Sequence, residues 1–119
     1  MKVSDNFLRS EFACRCGCGF NTVDITLIEV LEGIRSHFNA PVTITSGNRC
    51  PEYNATIPGA SSKSQHAKGM AADFKVKGIH ADEVADYLEE KYPNWFGIER
   101  YVGRTHIDVR SRPYRWDYR

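Results

Sequence analysis

The stretch Met70-Ala71-Ala72-Asp73-Phe74-Lys75-Val76 constrains the fold more than any other, because it reads as a strand of small and apolar residues with a carboxylate set into it. A carboxylate among such neighbours is costly without a partner. Whatever the chain folds into must therefore bring one to Asp73. His66 stands seven residues earlier, in the polar stretch that precedes the strand. Gly69 between them permits a tight turn that aims both side chains at the same place. Imidazole nitrogen and carboxylate oxygen are both good zinc ligands, and a third is needed. In Thr105-His106-Ile107-Asp108 the two-residue period of a strand puts His106 and Asp108 on one face and Ile107 on the other. His66, Asp73 and His106 together leave the fourth position of a tetrahedral zinc open, the arrangement of a catalytic rather than a structural site. Manganese, iron or cobalt accept the same ligands.

The rest of the pattern supplies a frame. Val23, Leu27, Val30, Leu31, Ile34 and Phe38 recur at three- and four-residue steps, predicting a helix capped by Thr22 or Asp24 that ends near Asn39, ahead of Pro41. Val42 to Thr45 is β-branched and predicts a strand. Asn48 to Lys68, with Pro51, Pro58, Gly59 and a run of serines, shows neither period and reads as an ordered functional loop. A second helix is predicted over Ala81 to Lys91, stopped by Pro93, with Val84, Ala85 and Leu88 on its inner face. Phe96 to Tyr101 and Thr105 to Val109 read as a β-hairpin. That order predicts an α+β fold with a mostly antiparallel sheet packed against helices. A length of 119 residues suits one domain, 1–119, with no linker.

A net charge of +1, with 41% apolar and 26% charged residues, excludes a disordered chain and a nucleic-acid binder built on bulk charge. The tail carries Arg110, Arg112, Arg115 and Arg119 among aromatic residues. Tyr114 and Trp116 are expected to close the core, leaving the arginines solvated. His37 and His80, each alone, read as structural histidines. Cys14, Cys16, Cys18 and Cys50 allow three states: one disulfide from the cluster to Cys50, a structural zinc site on all four, or reduced thiols. Met1 to Glu11 lacks the apolar run of a secretory signal and no segment is long enough to span a membrane, which makes the cytoplasm the default compartment and reduced thiols the default state.

Ser64, His66, Gly69, Ala71 and Asp73 satisfy the pattern Ser-x-His-x-x-Gly-x-Ala-x-Asp. That pattern resembles the signature of the zinc D-Ala-D-Ala peptidases of the Hedgehog-type fold, which include D,D-carboxypeptidases, vancomycin-resistance dipeptidases and phage L-alanyl-D-glutamate endolysins. Ser46-Gly47-Asn48-Arg49 is similar to the family's Ser-Gly-x-Arg turn, and His106-Ile107-Asp108 to its C-terminal His-x-Asp strand. The likeness runs from about Phe12 to Arg110.

The resemblance implies a peptidase whose single catalytic zinc is held by His66, Asp73 and His106. Arg49 would bind a substrate carboxylate or carbonyl, and Ser64 would support the loop or touch the substrate. The substrate implied is a peptide bond in a stem or cross-link of peptidoglycan, cut by a monomer with no nucleic-acid partner and no membrane insertion. A phage or prophage lysis enzyme fits best, made in the cytoplasm and reaching the wall after lysis, holin-type release or non-classical export. The alternative is a zinc-containing wall-binding module without activity. One departure concerns the general base. Several relatives carry an acid three residues before the last ligand, where this chain has Gly103. Glu99 and Asp108 are the two carboxylates available for that task.

Overall fold

A computed structural model describes residues 1–58 and 64–119. The chain opens with a short hairpin, β1 (Lys2–Ser4) and β2 (Phe7–Leu8), and a 3-10 turn over Arg9–Phe12. Helix α1 spans Ile25–Phe38. Asp24 caps it, its carboxylate accepting from the amides of Thr26 and Leu27, and Asn39 ends it in the left-handed conformation. Strand β3 (Val42–Ser46) follows, then a one-turn helix α2 (Pro51–Asn54) and a 3-10 turn over Gln65–Lys68. The sequence reads this whole stretch as loop; Pro at the first helical position starts α2, which is too short to show a period. Gly59, Ser61 and Ser62 lie outside the described residues. Then come β4 (Ala71–Val76), α3 (Ala81–Lys91), β5 (Gly97–Tyr101), β6 (Arg104–Asp108) and β7 (Tyr114–Asp117).

Five strands form one sheet in the order β3-β4-β6-β5-β7, antiparallel throughout except for the parallel pair β5-β7. Its register sorts the side chains by chemistry. Ala72, Ile107 and Ile98 stand opposite one another and point to one face, with Phe74 two residues along. Leu27, Leu31 and Ile34 of α1 and Val84, Ala85 and Leu88 of α3 join that face in one buried apolar cluster. On the other face, Ser46, Asp73, His106, Glu99 and Trp116 are successive register partners, a single row across the sheet. The next row is Ala71, Asp108 and Gly97.

This register also corrects the expectation for Trp116. It stands opposite Glu99, away from the apolar cluster, and is 53% exposed. The tail is held instead by Arg115, whose guanidinium donates to the carbonyls of Phe96, Tyr92 and Trp95.

Candidate metal centre and its cleft

The turn that presents His66 begins at Ser64, whose hydroxyl accepts from the His66 amide at 3.2 Å. It ends at Gly69, where φ is +69° and a Cβ would lie 2.8 Å from the Thr22 carbonyl oxygen, so only glycine fits. His66 is 2% exposed and its Nδ1 lies 2.7 Å from the Gly47 carbonyl oxygen. A carbonyl only accepts, so Nδ1 carries the proton and Nε2 presents its lone pair. That lone pair faces Asp73, with Nε2 3.4 Å from Oδ1. The Arg49 amide in turn donates to the His66 carbonyl at 3.0 Å. The Ser46–Arg49 turn thus grips His66 by ring and by backbone.

His106 lies between two carboxylates: Nδ1 is 2.9 Å from Asp73 Oδ1 and Nε2 is 2.8 Å from Asp108 Oδ2. Burial acts to lower the pKa of this imidazole, but the hydrogen bonds to Asp108 and Asp73 outweigh it and hold the value up at about 9. Burial likewise works against ionised Asp73 and Asp108, yet His106 with His66 holds the first, and His106 with Arg110 the second, well below the usual carboxylate range. Asp108 is fully buried. Arg110 grips it with two parallel bonds of 2.7 Å, Nε to Oδ1 and Nη2 to Oδ2. Room for the carboxylate comes from its row: a Cβ on Gly97 would lie 2.6 Å from Asp108 Oδ1.

His66, Asp73 and His106 each offer a ligand atom, and these atoms lie within 4.8 Å of one another. Zinc bonded to nitrogen and oxygen at about 2.0–2.1 Å sets neighbouring tetrahedral ligands about 3.3–3.4 Å apart. The His66–Asp73 separation already has that value, and the 2.9 Å between His106 and Asp73 needs only a slight opening. With His106 Nδ1 turned to the metal, its Nε2–H donates to Asp108, the carboxylate–histidine pairing that orients metal ligands. The three residues fit a zinc ion.

A cleft of about 710 Å³ opens over the row, lined among others by Arg49, Ser64, His66, Asp73, Glu99 and His106. Arg49 donates from Nη2 to Ser64 Oγ at 3.3 Å, while its Nε is buried with no partner among the described residues. Glu99 sits directly across from His106 on β5, a pairing that brings Cβ atoms to about 4.5–5.5 Å. Its Oε1 accepts from the Tyr101 hydroxyl at 3.0 Å. Gly103 lies at the tip of the β5–β6 hairpin with φ +82°. His37 stacks on Tyr87, and His80 caps α3 by accepting from the Asp82 amide.

Three contributors were not singled out from the sequence: the Gly47 carbonyl, Arg110 and Gly97. Arg110, two residues beyond Asp108 and so on the same side of an extended chain, was within reach of the strand period. The Gly97 role appears only once the β5–β6 register is known.

The sequence pattern of the family described as Peptidase M15 matches residues 5–108, a span that holds the three candidate ligands, Arg49, Glu99 and Asp108. No curated protein matches the chain.

Proposed function

Since the chain belongs to the peptidase M15 family of zinc metallopeptidases, we propose that it hydrolyses a peptide bond in the stem or cross-link of peptidoglycan, as a monomeric, single-domain enzyme of phage or prophage lysis type. The observation that carries this reading is the convergence of His66 Nε2, Asp73 Oδ1 and His106 Nδ1 on one point at the floor of the cleft. Zinc held there supplies Lewis acidity towards a carbonyl oxygen and a water molecule.

The chain's own residues do the rest. Arg49, whose buried Nε has no partner among the described residues and whose Nη2 turns to Ser64, receives a substrate carboxylate or carbonyl in its planar fork. Ser64 holds the His66 turn and that guanidinium together. Glu99 borders the cleft beside His106 and is the proton carrier, taking a proton from water and passing it to the leaving amine. Its place on the opposite strand supplies the acid that Gly103 does not. Asp108, wholly buried and engaged on both oxygens by His106 and Arg110, orients His106.

The test is digestion of purified peptidoglycan by the intact chain, with and without chelator, and after zinc is restored. Zinc-dependent release of new amino termini is the expected result, and mass spectrometry of the products assigns the bond and separates carboxypeptidase from endopeptidase. Tight wall binding with no cleavage would replace this reading with that of a binding module.

A further inference from the structure

We propose that Cys14, Cys16, Cys18 and Cys50 hold a second zinc ion, bound by four thiolates, that fastens the N-terminal segment to the turn carrying Gly47 and Arg49. All four sulfurs lie within 4.8 Å of one another. Cys14 Sγ is 3.4 Å from Cys16 Sγ, and Cys16 Sγ is 3.6 Å from that of Cys50. Zn–S bonds of about 2.3 Å set the sulfurs of a tetrahedron about 3.8 Å apart, so the cage needs little adjustment.

The alternation of three cysteines in five residues would spread them along an extended strand. Here the chain is bent: Gly17 and Gly19 take φ of +82° and +90°, and the Gly17 amide bonds back to the Cys14 carbonyl. The turns gather side chains that a strand would separate. A disulfide accounts for two sulfurs, whereas this arrangement collects four around one centre. Two backbone amides also point at sulfur, Cys50 N–H to Cys14 Sγ and Tyr53 N–H to Cys50 Sγ, each at 3.4 Å. Such donors stabilise thiolate ligands from behind.

The region needs a fastening. Between the 3-10 turn ending at Phe12 and the start of α1 there is no helix or strand. Yet the backbone of Phe12 is a foundation for the catalytic turn: a Cβ on Gly47 would lie 2.7 Å from Phe12 Cα, and the Asn48 amide and Nδ2 both donate to the Phe12 carbonyl. A metal joining Cys14, Cys16 and Cys18 to Cys50 would clamp both ends of this contact. Through Gly47 and Arg49 the clamp would reach His66. Binding needs no oxidant; each thiol releases its proton to solvent as its sulfur bonds the metal.

The test uses the reduced, full-length chain and counts metal rather than activity. Wild type should carry two zinc ions, His66→Ala/His106→Ala one, and Cys16→Ser/Cys18→Ser one. Replacing zinc by cobalt(II) should give an intense sulfur-to-cobalt charge-transfer band in wild type and in the histidine variant, absent from the cysteine variant. Because the band is read on wild type, a variant that fails to fold does not spoil the test. One zinc per wild-type chain with four thiols free to a thiol reagent, or two sulfurs found as a disulfide with no cobalt–sulfur band, would overturn the proposal.

Discussion

Replacing Asp108 by asparagine keeps the shape of the side chain and removes its charge, which isolates the orienting role assigned to it. Four donors surround the carboxylate: His106 Nε2 and Arg110 Nη2 on Oδ2, and Arg110 Nε with the Arg110 amide on Oδ1. An asparagine NH2 must face one of these pairs. Turned to Arg110, it opposes donor to donor; turned to His106, it forces Nε2 to accept and moves the ring proton to Nδ1. That second tautomer places a proton on the atom that faces Asp73 and the metal. Breaking a buried ion pair from one side costs about 3–5 kcal/mol, and disturbing the partner of a ligand histidine costs about 10–100-fold in metal affinity. We therefore expect Asp108→Asn to lower the unfolding free energy of the chelated chain by about 3–5 kcal/mol in urea denaturation. Zinc affinity, measured by competition with a chromophoric chelator on folded protein, should fall about 10–100-fold. Zinc affinity within a factor of about two of wild type would refute the tautomer argument, whatever happens to stability.

Glu99→Gln should cut kcat by about 10²–10⁴-fold on a soluble stem peptide while zinc affinity stays near wild type; lost zinc binding would place Glu99 among the ligands instead. Arg49→Lys keeps the charge and loses the fork, so kcat/KM should drop about 10–100-fold with zinc content unchanged, and a kcat/KM equal to wild type would remove Arg49 from substrate binding. For the metal-free chain, His106 holds its proton up to about pH 9 when folded against 6.5 as the ordinary value. The folded state binds that proton more tightly, so its contribution is complete below pH 6.5 and is lost as pH rises through 9. The shift corresponds to about 3 kcal/mol, to be read as the difference in pH slope between wild type and His106→Gln, since the thiols titrate in both. Equal slopes would refute it.

Much of the fold followed from local pattern. The stripe from Leu27 to Ile34 and the Asp24 cap both lie where periodicity and capping chemistry place them, and α3 covers Ala81–Lys91 as its apolar positions and Pro93 require. The strand alternation that set His106 and Asp108 on one face and Ile107 on the other depends only on the two-residue period. Long-range pairing was not legible. β7 alternates Tyr114 and Trp116 with Arg115 and Asp117, and its aromatic face turns to the cleft rather than to the core because it is an edge strand paired with β5. The cysteines illustrate the same limit: sequence spacing alone separates them, and the left-handed turns at Gly17 and Gly19 together with the return of Cys50 bring them into one cluster. Glu99 could be nominated as a carboxylate near the hairpin, but its position beside His106 rests on the β5–β6 register.

The proposed centre holds one zinc ion through His66 Nε2, Asp73 and His106 Nδ1. An anomalous difference map at the zinc edge, from crystals of the zinc-loaded chain, tests it directly. A peak is expected within about 2.0–2.2 Å of those three atoms, with His66 Nδ1 still on the Gly47 carbonyl and His106 Nε2 still on Asp108. A peak bonded to the opposite nitrogen of either histidine, or no peak between these residues in active protein, would contradict it.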